Sequence, residues 1–269
     1  MRATQPSEES RALDYTQLFH FSGRRVMVIG SGSGIGRESA LALGAHGAAV
    51  VCADRDGAAA ADTAAMIGDN ASSTTLDVLN HEAVGAAALQ FGDIAALVFT
   101  AATNVRKRIA DYTLDEFDRV VNLNLRASFS LIQSFAPAMA ANGGGSIIGF
   151  ASIRAVTVEP GQGVYAATKA GLVQLLRTAA AEYGPSGVRV NAISPGVVET
   201  PLTAQIKNNT EWYDAYASKS ALGRWSRPEE LAGAVVYLAS DASSFVTGSV
   251  LTVDGGWTAV DGRFDPPNA

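Results

Sequence analysis

The chain has 269 residues, of which 48% are hydrophobic and 17% charged, a composition sufficient for one large buried core. Its formal net charge is −6 and its basic residues are scattered, which argues against nucleic acid or an anionic membrane as a partner. No stretch of the sequence resembles a signal peptide or a membrane span, and the single cysteine, Cys52, cannot form an internal disulfide. We therefore expect a cytoplasmic protein.

Apolar runs of strand length alternate with helical patterns along the chain. Strands are predicted at 25–30, 48–53, 72–76, 94–99, 145–151, 187–193 and 249–253, with helices between them. This alternation predicts an α/β fold of the Rossmann type, a doubly wound parallel sheet of about seven strands with helices on both faces. We expect a single domain over 21–257, an N-terminal arm over 1–20 and a C-terminal tail over 258–269.

The first predicted strand ends in a glycine-rich turn, Gly30–Gly36, and a helical pattern follows over 37–46. Glycines spaced as Gly-x3-Gly-x-Gly permit positive φ and close approach of the backbone, so the helix N-terminus can present N–H groups to a pyrophosphate. The stricter Gly-x-Gly-x-x-Gly spacing is absent, and a plain strand-to-helix loop is the alternative. The residues predicted to contact a dinucleotide are Gly30, Ser31, Ser33, Gly34, Ile35 and Gly36, the two serines as hydroxyl donors.

The second predicted strand leads directly into an acidic residue, Asp54. A carboxylate at the end of this strand can accept hydrogen bonds from an adenosine ribose diol and would repel a 2′-phosphate, which favours NAD over NADP. The neighbouring Arg55 could offset part of that repulsion. The alternative for Asp54 is a helix N-cap, because an alanine-rich helix follows.

A hydroxyl and an amine form the second motif. Ser152 follows the strand predicted at 145–151, and Tyr165 and Lys169 share one face of a predicted helix. A tyrosine titrates near about 10, but a nearby ammonium and a positive nicotinamide ring both favour the phenolate. We predict that Tyr165 is a general acid/base, that Ser152 binds the substrate oxygen, and that Lys169 also reaches the nicotinamide ribose. With the glycine turn, this set indicates hydride transfer.

From Phe21 to Trp257 the chain resembles the short-chain dehydrogenase/reductase family, whose motifs occur here in the same order. The resemblance implies that Asp77 and Val78 contact the adenine and that Asn124 supports a proton relay to the lysine. It also implies that Val198 and Thr200, after Pro195-Gly196, orient the nicotinamide carboxamide. Asp254-Gly255-Gly256 matches the family's carboxyl-terminal signature.

The chain departs from the family pattern at two places. Ile29 stands where the glycine motif usually begins with threonine, and Phe99-Thr100-Ala101-Ala102 replaces the usual Asn-Asn-Ala-Gly. We expect Thr100, Ala101 and Ala102 to line the cofactor site. The asparagine side chains ordinarily bridge the central strands and support the adenine side of the pocket, so their loss raises the question of which groups hydrogen-bond the polar atoms at this point.

The substrate side is predicted from position in the sequence. Arg154 and Gln162 lie between Ser152 and Tyr165, while Thr103 and Asn104 follow the fourth strand. These polar side chains suit a hydroxylated or anionic substrate; the alternative for Arg154 is an ion pair with Glu159 at the solvent or at a subunit interface. Residues 201–222, with three aromatic side chains, are expected to form a closing lid.

These motifs predict an NAD-dependent dehydrogenase that oxidises a secondary alcohol of a polyol, sugar or hydroxy acid. The alternatives are an NADPH-dependent ketoreductase acting on a 3-oxoacyl thioester and a non-catalytic dinucleotide-binding protein. No metal is expected, because the three histidines lie far apart without ligand spacing.

The resemblance also implies a homotetramer, or a dimer, that pairs through helices over 113–141 and 162–183 and through 227–239 with 249–253. The second helix has four apolar residues that cannot all face one sheet, and we expect a second subunit to cover some of them; they are Leu172, Val173, Leu175 and Leu176.

Overall fold

The computed structural model describes residues 14–260, so most of the predicted arm and tail, residues 1–13 and 261–269, lies outside the described residues. The described chain forms one parallel sheet in the order β3-β2-β1-β4-β5-β6-β7. Its strands are β1 (Arg25–Ile29), β2 (Ala49–Asp54), β3 (Ala71–Thr75), β4 (Ala96–Phe99), β5 (Gly145–Phe150), β6 (Val188–Pro195) and β7 (Val250–Val253). Each predicted strand is present, and no end differs by more than two residues. The predicted fold class is confirmed.

Helices cover both faces of the sheet. They are α1 (Gly34–Ala45), α2 (Gly57–Ile67), α3 (His81–Phe91), α4 (Leu114–Val121), α5 (Ala127–Ala141), α6 (Gly163–Tyr183), α7 (Ala204–Lys207), α8 (Thr210–Ala217) and α9 (Ala232–Ala239). Short 3-10 helices occupy Tyr15–Phe19, Ile109–Asp111, Ile153–Ala155, Gly184–Ser186, Pro201–Thr203, Pro228–Leu231 and Asp241–Ser243. Within residues 14–260, none of the helices combines the length and the apolar character needed to cross a bilayer.

The two faces of the sheet bury separate apolar layers, because successive strand side chains point to opposite sides. Met27 and Ile29 of β1 pack with α3, α5 and α6, whereas Val26 and Val28 pack with α1, α2 and α9. Phe21 and Trp257 are both buried, so the packed part of the chain reaches the ends predicted for the domain.

Two predicted helices differ in detail from the structure. Helix α1 begins at Gly34, inside the glycine turn and before the predicted start at residue 37. The helix predicted over 113–141 is interrupted at Asn122–Arg126 by a π-helical segment, the type of insertion often found at functional sites.

Most of the four apolar residues of α6 are covered by the chain itself, and Leu175 stays partly exposed. Leu172, Val173 and Leu176 are buried within the single chain, since α6 packs between the sheet, α4 and α5. Exposed apolar side chains lie instead on α4 and α5, at Leu114, Phe117 and Phe129. These side chains sit on the other predicted pairing helix.

The strand order reverses between β1 and β4, and at such a switch point the loops leave in opposite directions and open a crevice at the carboxyl ends of the strands. The glycine turn follows β1, Asp54 ends β2, Thr100 follows β4, and Ser152 follows β5. The topology thus brings the predicted cofactor and catalytic segments to one edge of the sheet.

Candidate active site

The turn after β1 requires glycine at both of its ends. Gly30 has a φ of +87°, and a Cβ on Gly36 would lie 2.0 Å from the carbonyl oxygen of Gly30. Ser33, the N-cap of α1, is exposed and makes no capping hydrogen bond through its side chain. The first N–H groups of α1, from Gly34 and Ile35 onward, are therefore available to an anion, as the dinucleotide prediction requires.

Side chains of the chain itself hold the turn in place. The Ser31 hydroxyl is buried and donates to the Ala53 carbonyl at 3.1 Å, so it ties the turn to β2 and does not face a phosphate. Thr63 of α2 donates to the Ser31 carbonyl at 2.9 Å, and the Arg37 guanidinium donates to the Gly32 carbonyl and to the Thr63 hydroxyl. No sequence motif indicates Thr63 or Arg37, because both act through tertiary contacts.

The Asp54 carboxylate lies across the turn from β2. Its Oδ2 accepts from the Gly32 N–H at 2.9 Å, and its Oδ1 accepts from the Asp56 N–H at 3.0 Å. The N-cap of α2 is Asp56, whose Oδ1 accepts from the N–H groups of Ala58 and Ala59 at 3.1 Å, so the alternative of a helix cap does not apply to Asp54. Each Asp54 oxygen retains a lone pair that a ribose hydroxyl could use. Arg55 is exposed.

The segment Phe99-Thr100-Ala101-Ala102 satisfies its polar groups despite the missing asparagines. The Thr100 hydroxyl donates to the Ile29 carbonyl at 3.2 Å and so bridges β4 to β1. In the described part of the chain, the buried side-chain atoms without a hydrogen-bond partner lie elsewhere. A threonine hydroxyl therefore takes the place of the asparagine bridge between these two strands. Ala101 and Ala102 are partly exposed at the same edge.

The residues implied for the two ends of a dinucleotide lie at opposite sides of this edge. Asp77, just past β3, is exposed and accepts from the Leu79 N–H at 2.9 Å, and Val78 is buried. On the other side, the Gly196 N–H donates to the Val253 carbonyl at 3.0 Å, and Val198 is buried. The Thr200 side chain lies next to the glycine turn, 3.5 Å from where a Cβ on Gly34 would be.

Tyr165 and Lys169 lie side by side on α6, as the four-residue spacing predicts, and both are buried. The Lys169 Nζ is 5.7 Å from the centroid of the Tyr165 ring and donates to the Phe150 carbonyl at 2.6 Å. Ser152 is also buried; its Oγ accepts from the Arg154 N–H at 3.1 Å, which leaves the hydroxyl proton free to donate. The structure brings the three predicted catalytic side chains together.

Burial dominates the titration of this pair. It raises the pKa of Tyr165, while a hydrogen bond with Ser152 and the positive charges of Arg106 and Arg154 act in the opposite direction. Burial also lowers the pKa of Lys169 to about 8. In the protein alone, desolvation of the buried phenolate prevails over these opposing effects and keeps the pKa of Tyr165 raised.

Asn124 lies in the π-helical segment and is fully buried. Its Oδ1 accepts from the Thr103 N–H at 2.8 Å, and its Nδ2 donates to the Thr103 carbonyl at 2.9 Å and to the Thr168 hydroxyl at 3.2 Å. Its side chain therefore joins the loop after β4 to α6 through Thr168, the residue that precedes Lys169. The implied relay to the lysine stays a prediction.

The predicted substrate residues join a network that we call the arginine cluster, formed by Asn104, Arg106, Arg154, Glu159, Gln162 and Tyr216. Within it, the Glu159 carboxylate accepts from the Arg154 guanidinium, the Gln162 amide and the Tyr216 hydroxyl. Arg154 is 8% exposed and lies over the Tyr216 and Trp257 rings, so its ion pair with Glu159 is not a solvent contact. Thr103 adjoins this cluster in the loop after β4.

Sequence reasoning missed Arg106. Its guanidinium lies 5.4 Å from the centroid of the Trp212 ring, and its side chain is 15% exposed. Polar residues that follow a central parallel strand meet at the site edge, and this rule selected Thr103 and Asn104. Extending it to residue 106 in the same loop would have found the arginine.

The segment predicted as a lid, 201–222, forms α7 and α8 and packs onto the cluster. Tyr213 stacks on Trp225 with ring centroids 4.9 Å apart, and the Trp225 Nε1–H donates to the Tyr213 carbonyl at 2.9 Å. Tyr216 of α8 and Trp257 are buried together in one apolar cluster. This segment therefore covers the substrate side of the site in the present structure.

A doubly wound sheet, a glycine turn with open helix N–H groups and a buried tyrosine–lysine pair at one sheet edge define a dinucleotide-dependent oxidoreductase. No group of three or more His, Cys, Asp or Glu side chains in the described range is arranged to hold a metal ion.

Comparisons with known proteins agree with this class. A family model described as enoyl-(acyl carrier protein) reductase matches residues 29–258. The chain is 36% identical over 252 residues to the galactitol 2-dehydrogenase (L-tagatose-forming) of Cereibacter sphaeroides, covering 91% of this chain and 99% of that protein. It is 34% identical over 254 residues to the gluconate 5-dehydrogenase of Gluconobacter oxydans, covering 91% and 99%.

Among solved structures, that of a gluconate 5-dehydrogenase from Burkholderia cenocepacia, in complex with NADP and tartrate, has a TM-score of 0.87 and 34% identity and covers 91% of this chain and 98% of that one. The chain belongs to the short-chain dehydrogenase/reductase family. It is an NAD(P)-dependent oxidoreductase that acts on CH–OH groups.

Proposed function

We propose that the protein oxidises a secondary alcohol of a small polyhydroxylated molecule to the ketone, reversibly, with NAD as the cofactor and Tyr165 as the general acid/base. The observation that carries this proposal is the buried pair on α6, in which the Lys169 Nζ lies 5.7 Å from the Tyr165 ring, at the same sheet edge as the glycine turn. The named relatives, a galactitol dehydrogenase and a gluconate dehydrogenase, act on polyhydroxylated compounds and support this substrate class.

Each catalytic side chain has one task in this scheme. Ser152 donates its hydroxyl proton to the substrate oxygen, and Tyr165 takes the proton of the alcohol in oxidation and returns it in reduction. Lys169, fixed by the Phe150 carbonyl, supplies positive charge beside the phenol and a donor for the nicotinamide ribose. A nicotinamide bound beside Tyr165 would supply the hydride acceptor, and its positive charge would offset the burial that raises the Tyr165 pKa.

The preference for NAD rests on Asp54. Its carboxylate is fixed by the N–H groups of Gly32 and Asp56 at the end of β2, where an adenosine ribose would meet it. A 2′-phosphate at that position would face like-charge repulsion. The gluconate dehydrogenase structure contains NADP and therefore does not support this preference. We assign the preference for NAD to the present chain from its own residues.

We further propose a homotetramer or dimer that pairs through α4 and α5 with α6, and in the tetramer also through α9 with β7. The exposed apolar side chains of Leu114, Phe117 and Phe129 support this interface. Most apolar residues of α6 are already buried within the chain, so α6 offers less apolar surface for subunit pairing than its sequence implies. A sedimentation measurement at micromolar concentration distinguishes the assembly from a monomer.

Initial-rate measurements test the proposed function. The purified protein is assayed with NAD⁺ and NADP⁺ against four- to six-carbon alditols and aldonates, and with NADPH against 3-oxoacyl thioesters. We expect reduction of NAD⁺ by alcohols from the first group. Turnover confined to thioesters with NADPH would identify the ketoreductase alternative, and dinucleotide binding without turnover of any compound would identify the non-catalytic one.

A further inference from the structure

Three buried side-chain atoms within residues 14–260 have no hydrogen-bond partner, and all belong to one short loop after β4. They are Oδ1 of Asn104 and Nε and Nη1 of Arg106. Buried polar atoms are nearly always hydrogen-bonded, and leaving one unpaired costs about 1–3 kcal/mol, more for a charged group. Two unpaired donors and one unpaired acceptor in a single loop therefore point to a ligand that supplies an acceptor group and a donor.

The surrounding network fixes which Asn104 atom is unpaired. The Glu159 carboxylate only accepts, so the Gln162 Nε2 must face it and does so at 2.5 Å. The Gln162 Oε1 is then left to accept from the Asn104 Nδ2, at 3.0 Å. The Asn104 carbonyl oxygen, an acceptor, is consequently the atom that is left without a partner.

The charges of the arginine cluster do not balance. Arg106 and Arg154 carry two positive charges against the single carboxylate of Glu159, which Arg154, Gln162 and Tyr216 already occupy. The Arg106 Nη1 lies 3.8 Å from the Glu159 Oε1, beyond hydrogen-bond distance. Arg106, which is 15% exposed and stacked on Trp212, therefore has only this long ion pair with a carboxylate that Arg154 already binds more closely, and one of the two positive charges has no carboxylate of its own.

The positive charge of Arg106 lies close to the reacting group. Arg106 is near enough to Tyr165 for its positive charge to act on the phenol, and Gln162 stands immediately before the helix that carries Tyr165. Thr103, in the same loop, is clamped to Asn124 beside α6. A molecule that reaches Tyr165 with its alcohol can therefore reach Arg106 with its other end.

We propose that the substrate is a hydroxy monocarboxylate, whose carboxylate binds Arg106 and whose further hydroxyl donates to the Asn104 carbonyl oxygen. One excess positive charge matches a carboxylate better than a phosphate dianion, and a planar guanidinium suits a carboxylate. This assignment rests on the proposed function and names which of its polyhydroxylated substrates the site selects.

Matched substrates and variants test the assignment. The ratio of kcat/KM for an aldonate to kcat/KM for the alditol of the same configuration is measured with D-gluconate and D-glucitol and with the four- and five-carbon pairs. We expect aldonates to be preferred in the wild type, and Arg106→Gln to lower that ratio on the order of 100-fold, as for loss of one partner of a buried charge pair. The control, Arg108→Gln, removes the same charge from an exposed position in the same loop and should leave the ratio within about twofold.

Binding to inactive protein separates this inference from the proposed function. Tyr165→Phe protein with NAD⁺ is titrated calorimetrically with D-gluconate and D-glucitol, with and without Arg106→Gln. Tighter binding of gluconate that disappears in Arg106→Gln supports the assignment even where no compound turns over, an outcome that would defeat only the proposed function. Turnover of alditols at or above the rate of aldonates, or a ratio unaffected by Arg106→Gln, would overturn the assignment and leave the dehydrogenase function intact.

Discussion

The glycine turn and the arginine cluster differ in how their polar groups are satisfied. Around the turn, Ser31, Arg37, Thr63 and Thr100 are all bonded to the chain, so that backbone N–H groups remain for a ligand. In the cluster, side-chain atoms of Asn104 and Arg106 are buried without partners. Both regions lie at the carboxyl edge of one sheet.

The ligands proposed for the two regions account for this difference. A dinucleotide offers the same phosphates in every enzyme that uses it, and backbone N–H groups at a helix N-terminus can hold them without a charged side chain. A substrate differs from enzyme to enzyme, so its recognition depends on side chains whose pairing is left open until it binds. Buried polar atoms without hydrogen-bond partners therefore indicate which groups the substrate must supply, whereas hydrogen-bonded ones hold the protein structure in place.

The largest expected effect is at the point where the two regions meet. Tyr165→Phe removes the proton-transfer hydroxyl and should lower kcat by about two to four orders of magnitude, while cofactor binding is kept. Stopped-flow or steady-state assays give kcat, and fluorescence titration with NAD⁺ gives the dissociation constant. Turnover within a few-fold of wild type would remove Tyr165 from the mechanism.

The buried Lys169 predicts a pH-dependent stability. Burial lowers its folded-state pKa to about 8, below the ordinary lysine value, so the unfolded chain binds more protons between about pH 8 and pH 10.5 and stability rises with pH in that window. Below pH 8, burial of the Lys169 ammonium lowers the free energy of unfolding by up to about 3 kcal/mol. Urea unfolding at several pH values should therefore show wild type gaining on Lys169→Met as pH rises to 10.5. Parallel profiles for the two proteins would contradict this cost.

A smaller effect is expected on the dinucleotide side. In Gly36→Ala the new Cβ would lie 2.0 Å from the Gly30 carbonyl oxygen, so the turn must shift, and we expect cofactor binding to weaken by at least about tenfold. Gly85→Ala is the matched control, because a Cβ there meets nothing within 4 Å. The control should bind cofactor normally and be slightly more stable, since alanine favours a helix by about 1 kcal/mol. Equal cofactor affinities in both variants would show that the turn is not the binding element.

The smallest change concerns the choice between cofactors. Asp54→Ala removes the carboxylate that would bind the ribose diol, so the ratio of kcat/KM for NAD to that for NADP should fall by about tenfold. The control is Asp62→Ala, which removes an exposed carboxylate from α2, the helix that follows Asp54 in the chain. A wild-type preference for NADP would instead assign the dominant role to Arg55.

The sequence predicted the sheet and the catalytic set because both depend on local patterns. Strand-length apolar runs set β1 to β7, and the four-residue spacing of Tyr165 and Lys169 alone places them on one helix face. Gly30 and Gly36 are required by backbone geometry within a single turn, so their role was equally visible.

The remaining features depend on contacts between distant segments. Ser31 carries a hydroxyl suited to a phosphate, yet it faces the Ala53 carbonyl because the turn packs against β2. Thr100 replaces an asparagine bridge through a contact with Ile29 that no spacing indicates. Arg106 is singled out by two buried side-chain nitrogens that have no hydrogen-bond partner. Their lack of partners is known only once the positions of the loops after β4 and β5 are known.

In the proposed function, a cofactor bound at the glycine turn receives a hydride from an alcohol held at the arginine cluster. A substrate deuterated at the carbinol carbon, chosen from the alcohols that the rate assays identify, tests this transfer. We expect the deuterium to be transferred intact to C4 of the reduced nicotinamide, with a primary isotope effect on the hydride step. Appearance of the label in water, with none in the reduced cofactor, would contradict direct hydride transfer at this site.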